Sequence, residues 1–125
     1  MTNRFNPVVR VVDLAPGADI ADLPVFVAVG DQTVFGCRLL TQGTPSGIDD
    51  SNTVVLTLSV GGNVLLTKTY DTSTQPPRND QDNLTSLIDE TYADLDDGDV
   101  VTLSVAQGPT ANMPAFVLVF GSYQR

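Results

Sequence analysis

Apolar and polar residues alternate through the middle of the chain with the period of two that marks a β-strand covered on one side. Between residues 53 and 60, one face of this pattern is wholly aliphatic: Val54, Leu56, Leu58 and Val60. Gly61-Gly62-Asn63 follows and supplies residues that adopt positive φ in a tight reversal, after which residues 64–70 return as a second strand. The pattern predicts a β-hairpin over residues 53–70.

Apolar runs separated by turn residues predict the other strands. These runs cover residues 8–14, 24–29, 32–41, 100–107 and 116–120. The last run is apolar at both alternating positions, which is typical of a strand in the centre of a sheet or covered on both faces. With the hairpin, about seven or eight short strands result, and their regular spacing indicates an all-β fold, an antiparallel sandwich or barrel.

Two segments depart from the β pattern. Residues 71–83 are polar and contain Pro76-Pro77, which predicts a long surface loop. Residues 84–95 carry leucine and isoleucine at near-helical spacing, and Asn83 is a suitable capping residue, so this segment has room for at most one short helix. With neither a repeat nor a linker, residues 1–125 are expected to form a single domain.

The chain is acidic, with 15 Asp and Glu against 6 Lys and Arg and a net charge of −9. Proteins bind nucleic acid and anionic bilayers through basic residues, so we expect neither nucleic acid nor membrane as a partner. The acidity either keeps the protein soluble or complements a basic partner or a cation. The first residues lack the apolar core of a signal peptide, so synthesis in the cytoplasm is expected.

The sequence lacks the residue combinations of the common catalytic sites. There is no histidine and only one cysteine, which excludes Ser-His-Asp and Cys-His arrangements and the usual zinc sites. Cys37 lies in the apolar run 33–40 and is expected to be buried and inert, sharing its face with Phe35 or Leu39. We therefore expect that the protein is not an enzyme.

The acids cluster in turn segments rather than in a catalytic pattern. Residues 94–99 resemble an EF-hand loop superficially, but Gly98 stands at the fifth position and no Glu follows at the twelfth. Asp is common in turns because its side chain accepts hydrogen bonds from nearby backbone amides. An Asp-rich turn is one interpretation and a calcium site built from several loops is the other. We expect no cofactor and no metal.

Small neutral side chains dominate the outward positions of the predicted strands. They are Thr53, Thr57, Ser59, Thr67, Thr69, Thr102 and Ser104. Such a face suits packing against another subunit. Threonine is also simply a good strand former. Both interpretations remain open from the sequence.

The N-terminal segment 1–6 brings adhesive residues together. Arg4 and Phe5 lie within it, and Arg10 follows in the first predicted strand. These three are the candidate partner-binding residues. The segment is predicted to be either a flexible arm that becomes ordered on an adjacent subunit or an ordinary disordered terminus.

In the order of its elements, the whole chain resembles the small jelly-roll head decoration (cement) proteins of bacteriophages. The resemblance lies in the run 36–40 with the loop 41–47, the hairpin 53–70, the strand 98–108 and the closing strand 116–120. It implies a jelly-roll β-sandwich, often a homotrimer, that binds the major capsid protein on the exterior of the virion and stabilises the lattice without a cofactor.

A second function class stays open beside this one, a carbohydrate- or receptor-binding jelly roll of a phage tail or fibre. Sugar sites present flat aromatic rings, and this chain offers Tyr70, Tyr92, Tyr123 and five Phe but no Trp.

Overall fold

The computed structural model describes residues 3–12 and 14–125 and contains ten strands in two antiparallel sheets. The strands are β1 (Arg4–Phe5), β2 (Val8–Val11), β3 (Ile20–Val27), β4 (Gln32–Gln42), β5 (Val54–Val60), β6 (Asn63–Tyr70), β7 (Gln81–Asn83), β8 (Asp94–Leu95), β9 (Val100–Gln107) and β10 (Ala115–Gln124). Seven have four or more residues, which agrees with the predicted number, and β1, β7 and β8 are the short additions.

The strand order is that of a jelly roll. The first sheet places β10 in its centre, between β4 on one side and β1 with β2 on the other, while β7 and β8 both pair with the far edge of β4. The second sheet has the order β3-β9-β5-β6. Apart from the β5–β6 hairpin and the short pieces that share one edge, successive strands alternate between the sheets, which is the connectivity of two Greek keys. The all-β sandwich prediction is confirmed.

Strands β1 and β2 are one extended segment broken by Pro7. The amide of Gln124 donates to Asn3 and that of Phe120 donates to Pro7, so pairing with β10 continues through the break. Pro7 has no N–H and cannot donate to the ladder, which explains why the strand is interrupted there. Of the predicted arm 1–6, residues 1 and 2 lie outside the described residues and Arg4–Phe5 is paired with β10. Flexibility of this arm stays a prediction.

The segment predicted to have room for a short helix contains two 3-10 turns, Thr85–Leu87 and Glu90–Tyr92, followed by β8. Asn83 accepts a hydrogen bond from the amide of Thr85, as in an Asx turn, and does not cap an α-helix. The 71–83 loop ends in β7, because residues 81–83 find backbone partners on the free edge of β4. In the part of the chain that the structure describes, no helix is long and apolar enough to span a bilayer.

The core lies between the sheets and forms one cluster of buried apolar side chains. The predicted inward residues of the hairpin fill it, with Val54, Leu56 and Leu58 fully buried, and β10 contributes Phe116 and Phe120. Alternation along β10 buries one face and leaves the other half-exposed. The closing strand is therefore central in its sheet, and within the described residues only its inner face is fully covered.

Cys37 lies in this core, as predicted, and it shares its face with Leu39. Phe35 does not share that face, because the register between β4 and β10 shifts there: Val34 pairs with Ser122 but Gly36 pairs with Gly121, so Phe35 is the extra residue of a β-bulge. The bulge reverses the alternation and turns Phe35 outward.

Burial raises the pKa of the Cys37 thiol from its usual 9.0 to about 12, because desolvation disfavours the thiolate. We expect labelling by a thiol reagent at pH 8 to be slow in the native protein and fast in urea. Since the folded state keeps a proton that the unfolded state loses, the stabilising contribution should be complete below pH 9 and should be lost as the pH rises toward 12. Equal labelling rates in the two states would contradict this burial.

Candidate assembly surface

The outer face of the first sheet combines apolar side chains with arginines. We call this surface the arginine face. It consists of the outward residues of β1, β2, β4 and β10, namely Arg4, Val8, Arg10, Phe35, Arg38, Leu40, Val117, Val119 and Tyr123. Their neighbours along each strand, such as Val11, Leu39 and Leu118, point into the core and are buried. Val8 is 60% exposed, and Phe35 and Leu40 are each 42% exposed, so this face presents several large apolar side chains to solvent.

Strand register brings the three arginines of this face onto one surface. Val117 of β10 lies between Arg10 and Leu40, and Val119 lies between Val8 and Arg38. Arg4 pairs with Tyr123 at the far end of the same strand. Because directly paired residues point to the same side of a sheet, the charges line an apolar strip along β10.

An aromatic cluster occupies the Arg4 end of the arginine face. The ring centroids of Phe35 and Tyr123 are 5.9 Å apart, and the guanidinium carbon of Arg4 lies 5.4 Å from the Phe35 centroid. A Cβ atom on Gly121 would lie 2.8 Å from the Phe35 ring, so the absence of a side chain at Gly121 lets the ring lie flat on the strand. The bulge and this glycine together place Phe35 on the surface.

The arginines of this face have no acidic partner among the described residues. The ion pairs among the described residues lie elsewhere and join Lys68 to Asp82 and Arg125 to Asp96. Arg38 donates from Nη1 to the Gln81 side chain at 2.7 Å, which is a neutral acceptor. Half of the 6 basic residues of an acidic chain therefore lie on one apolar face without forming an ion pair with a described residue.

The structure separates the three predicted partner-binding residues. Arg4 and Arg10 both lie on the arginine face, toward opposite ends of β10. Phe5 pairs with the buried Ser122 and points to the other side, where it lines an apolar groove beside Val27 and Val29 of the second sheet's edge. Sequence reasoning missed Arg38 and Leu40, although the alternation of β4 around buried Leu39 marks both as outward positions.

The outer face of the second sheet carries the small neutral residues that the sequence predicted there. Thr57 pairs with Thr67 on one side and with Ser104 on the other, and Ser59 pairs with Thr102. All are partly or fully exposed. A charged neighbour occurs at its β3 edge, where the amide of Asp22 donates to the Ser104 hydroxyl.

Carboxylates in and beside the 94–99 turn are engaged within the protein, and three of them accept from backbone amides at this end of the sandwich. Asp97 accepts from the Gly30 amide at 2.8 Å, Asp99 accepts from the Asp96 amide at 2.9 Å, and Asp31 accepts from the Asp97 amide at 3.1 Å. No group of three or more His, Cys, Asp or Glu residues that could hold a metal ion occurs in residues 3–12 and 14–125. The acids act here as turn-forming residues.

The tyrosines are poorly placed for a sugar platform. Tyr70 is fully buried, and its hydroxyl donates to Asp82 at 2.9 Å. Burial, followed by the charge of Asp82, raises its pKa, so it stays protonated. Tyr123 is stacked on Phe35, and Tyr92 stands on a 3-10 turn with 36% exposure.

Comparison with known proteins gives a likeness of fold and none of sequence family. No protein-family model matches the chain. No curated protein matches it in sequence. Among solved structures, the fold is similar to that of a chain described as "Cyanophage Pam1 capsid asymmetric unit", with a TM-score of 0.50 and 15% identity over 99% of this chain and 85% of that chain. At this identity the likeness shows that the two chains share a fold.

Proposed function

We propose that the protein is a non-enzymatic structural protein of a phage virion, a decoration protein that binds the major capsid lattice on its exterior and stabilises it. The arginine face carries this proposal, since an acidic protein that exposes aliphatic residues around unpaired arginines has a surface suited to another protein. The shared fold with a chain of a cyanophage capsid unit supports a capsid as that partner. A sequence without histidine and with turn-bound carboxylates supports a role without catalysis.

Arg4 and Arg10 supply the partner contacts in this proposal, together with Phe5 at the neighbouring sheet edge. Arginine donates to carboxylates in a fixed fork, so the partner surface should carry Asp or Glu beside apolar residues. Two edges of the sandwich suit strand addition poorly. Pro7 interrupts the free edge of β1 and β2, while Pro24 and register shifts interrupt that of β3. At these two edges, attachment through a face is therefore favoured over strand addition.

The neutral face of the second sheet is the proposed contact between copies, in a homotrimer. Thr57, Ser59 and Ser104 are small and uncharged, so burying them against another subunit leaves no unpaired charge. The two faces lie on opposite sides of the sandwich. A trimer formed through one face would keep the other free for the lattice.

The experiment is co-sedimentation with heads purified from the encoding phage without this protein. Wild-type protein should bind saturably and should have the mass of three copies by light scattering. The double substitution Arg4→Gln and Arg10→Gln should weaken binding about tenfold or more and leave the mass unchanged. Raised salt should weaken attachment more than trimer formation, because exposed charge contacts are screened and apolar burial is not.

Arg78→Gln is the matched control, because Arg78 is an exposed arginine in the 71–83 loop and is not one of the residues that form the arginine face. It should bind like the wild type. Substitution is preferable to deletion of residues 1–6, because deletion would also remove the backbone partners of β10. Failure of the wild type to bind heads would overturn the lattice proposal, and a monomer at micromolar concentration would overturn the trimer.

A further inference from the structure

A depression interrupts the arginine face where two glycines meet. Gly36 of β4 and Gly121 of β10 pair directly with each other, so neither strand projects a side chain at this point. The depression has a volume of about 350 Å³, and Phe35, Arg38, Val119 and Asn83 are among the residues that line it. It lies in the middle of the surface that we propose binds the lattice.

The fold does not require glycine at position 36. Its φ lies outside the left-handed region, and a Cβ atom would meet nothing closer than the Thr85 hydroxyl at 3.5 Å, an ordinary contact distance. Gly121 differs, because a Cβ there would press on the Phe35 ring at 2.8 Å. Glycine inside a strand destabilises by about 0.5–1 kcal/mol relative to alanine. Glycine at 36 therefore has a cost that packing does not explain, and close approach by a partner would explain it.

Two side chains that can donate hydrogen bonds line the depression. Arg38 brings a guanidinium whose one side-chain partner among the described residues is Gln81. Asn83 accepts a hydrogen bond from the Thr85 amide through Oδ1, which leaves its NH₂ group as a further donor. None of the described residues that line the depression is acidic, and Phe35 and Val119 add apolar surface. This combination fits a carboxylate on an apolar stem.

We propose that the depression between Gly36 and Gly121 receives an Asp or Glu side chain of the capsid lattice, with its carboxylate on Arg38 and its stem against Phe35 and Val119. This inference rests on the proposed function and names the chemistry of the partner. A second copy fits less well in the symmetric arrangement, because pairing two arginine faces would oppose Arg10 and Arg38 of both copies. In the 94–99 turn, Asp97 and Asp99 already accept from backbone amides and Asp96 pairs with Arg125.

The test measures binding to the same purified heads for variants that fill the depression or remove the positive charge beside it. Gly36→Leu should lower affinity by more than about tenfold, because its side chain occupies the volume. Arg38→Gln should also lower affinity by more than about tenfold, because the partner's carboxylate would be buried without the Arg38 guanidinium. Ser73→Leu, at an exposed position in the 71–83 loop, and Arg78→Gln are the matched controls and should bind normally.

Gly36→Ala is a second variant that keeps the test valid if Gly36→Leu fails to fold. Its Cβ fits at ordinary distance, so we expect an equal or higher melting temperature together with several-fold weaker binding. If Gly36→Leu and Gly36→Ala fold and both bind as tightly as the wild type, the depression is not the site, while wild-type binding still upholds the proposed function. If Arg38→Gln alone binds normally, the carboxylate assignment is wrong. If the wild type itself does not bind heads, both proposals fall.

Discussion

Replacing Gly47 with alanine should destabilise the protein by about 3–5 kcal/mol, a loss in the range of severe single substitutions. Gly47 has φ +67°, which alone costs an L-residue about 1–2 kcal/mol. A Cβ there would also collide with the backbone carbonyl oxygen of Thr110, which cannot rotate away as a side chain can. The loops would have to separate, breaking the paired hydrogen bonds between Ser46 and Asn112.

Gly62→Ala is the control for backbone strain without a collision. Gly62 has φ +82° in the β5–β6 turn, and a Cβ there would meet no atom within 4 Å. It should lose only about 1–2 kcal/mol. Urea denaturation of both variants measures the difference, which should exceed 1 kcal/mol. Equal losses would show that the two loops yield easily and that the contact between Gly47 and Thr110 is not a constraint.

Replacing Gln107 with leucine should destabilise the protein by about 3 kcal/mol or more, because several polar groups would lose their partners at once. Gln107 ends β9 at an inward position and is buried. Its Nε2 donates to the carbonyls of Ala15 and Ala18 at 3.1 and 2.7 Å, and its Oε1 accepts the buried Met113 amide at 2.7 Å. Leucine fills a similar volume, but its side chain can form none of these three hydrogen bonds.

Gln42→Leu supplies the matched control, since Gln42 is an exposed glutamine at the end of β4. It should change the free energy of unfolding by no more than about 0.5 kcal/mol. Hydrogen exchange should also show faster exchange at Met113 in the Gln107 variant, because its amide loses its acceptor. Normal stability together with unchanged protection at Met113 would mean that water or a neighbour replaces Gln107 fully.

The candidate assembly surface was predictable only in part. Arg4 and Arg10 were identified as candidate partner-binding residues because they are two of the few basic residues and lie near the N-terminus. Their position on one face with Arg38 was not predictable, since that depends on which strands pair with β10 and in which register. Phe5 shows the same limit. It is next to Arg4 in sequence, but neighbouring residues of a strand point to opposite sides.

The sequence by itself determined the features that depend on local pattern. Period-two alternation and Gly61-Gly62-Asn63 specified the β5–β6 hairpin, and the β9 and β10 segments were readable for the same reason. The burial of Cys37 also followed from its apolar run.

The tertiary structure alone decided what depends on distant partners. Residues 81–83 and 94–95 have no strand pattern of their own and became β7 and β8 because the free edge of β4 offered backbone groups. Phe35 turned outward because a bulge shifted its register. Gly36 and Gly121 are 85 positions apart in the sequence. They form one depression only because β4 and β10 pair and bring them side by side. Alternation is a property of a few successive residues, whereas register is set by packing across the whole sandwich.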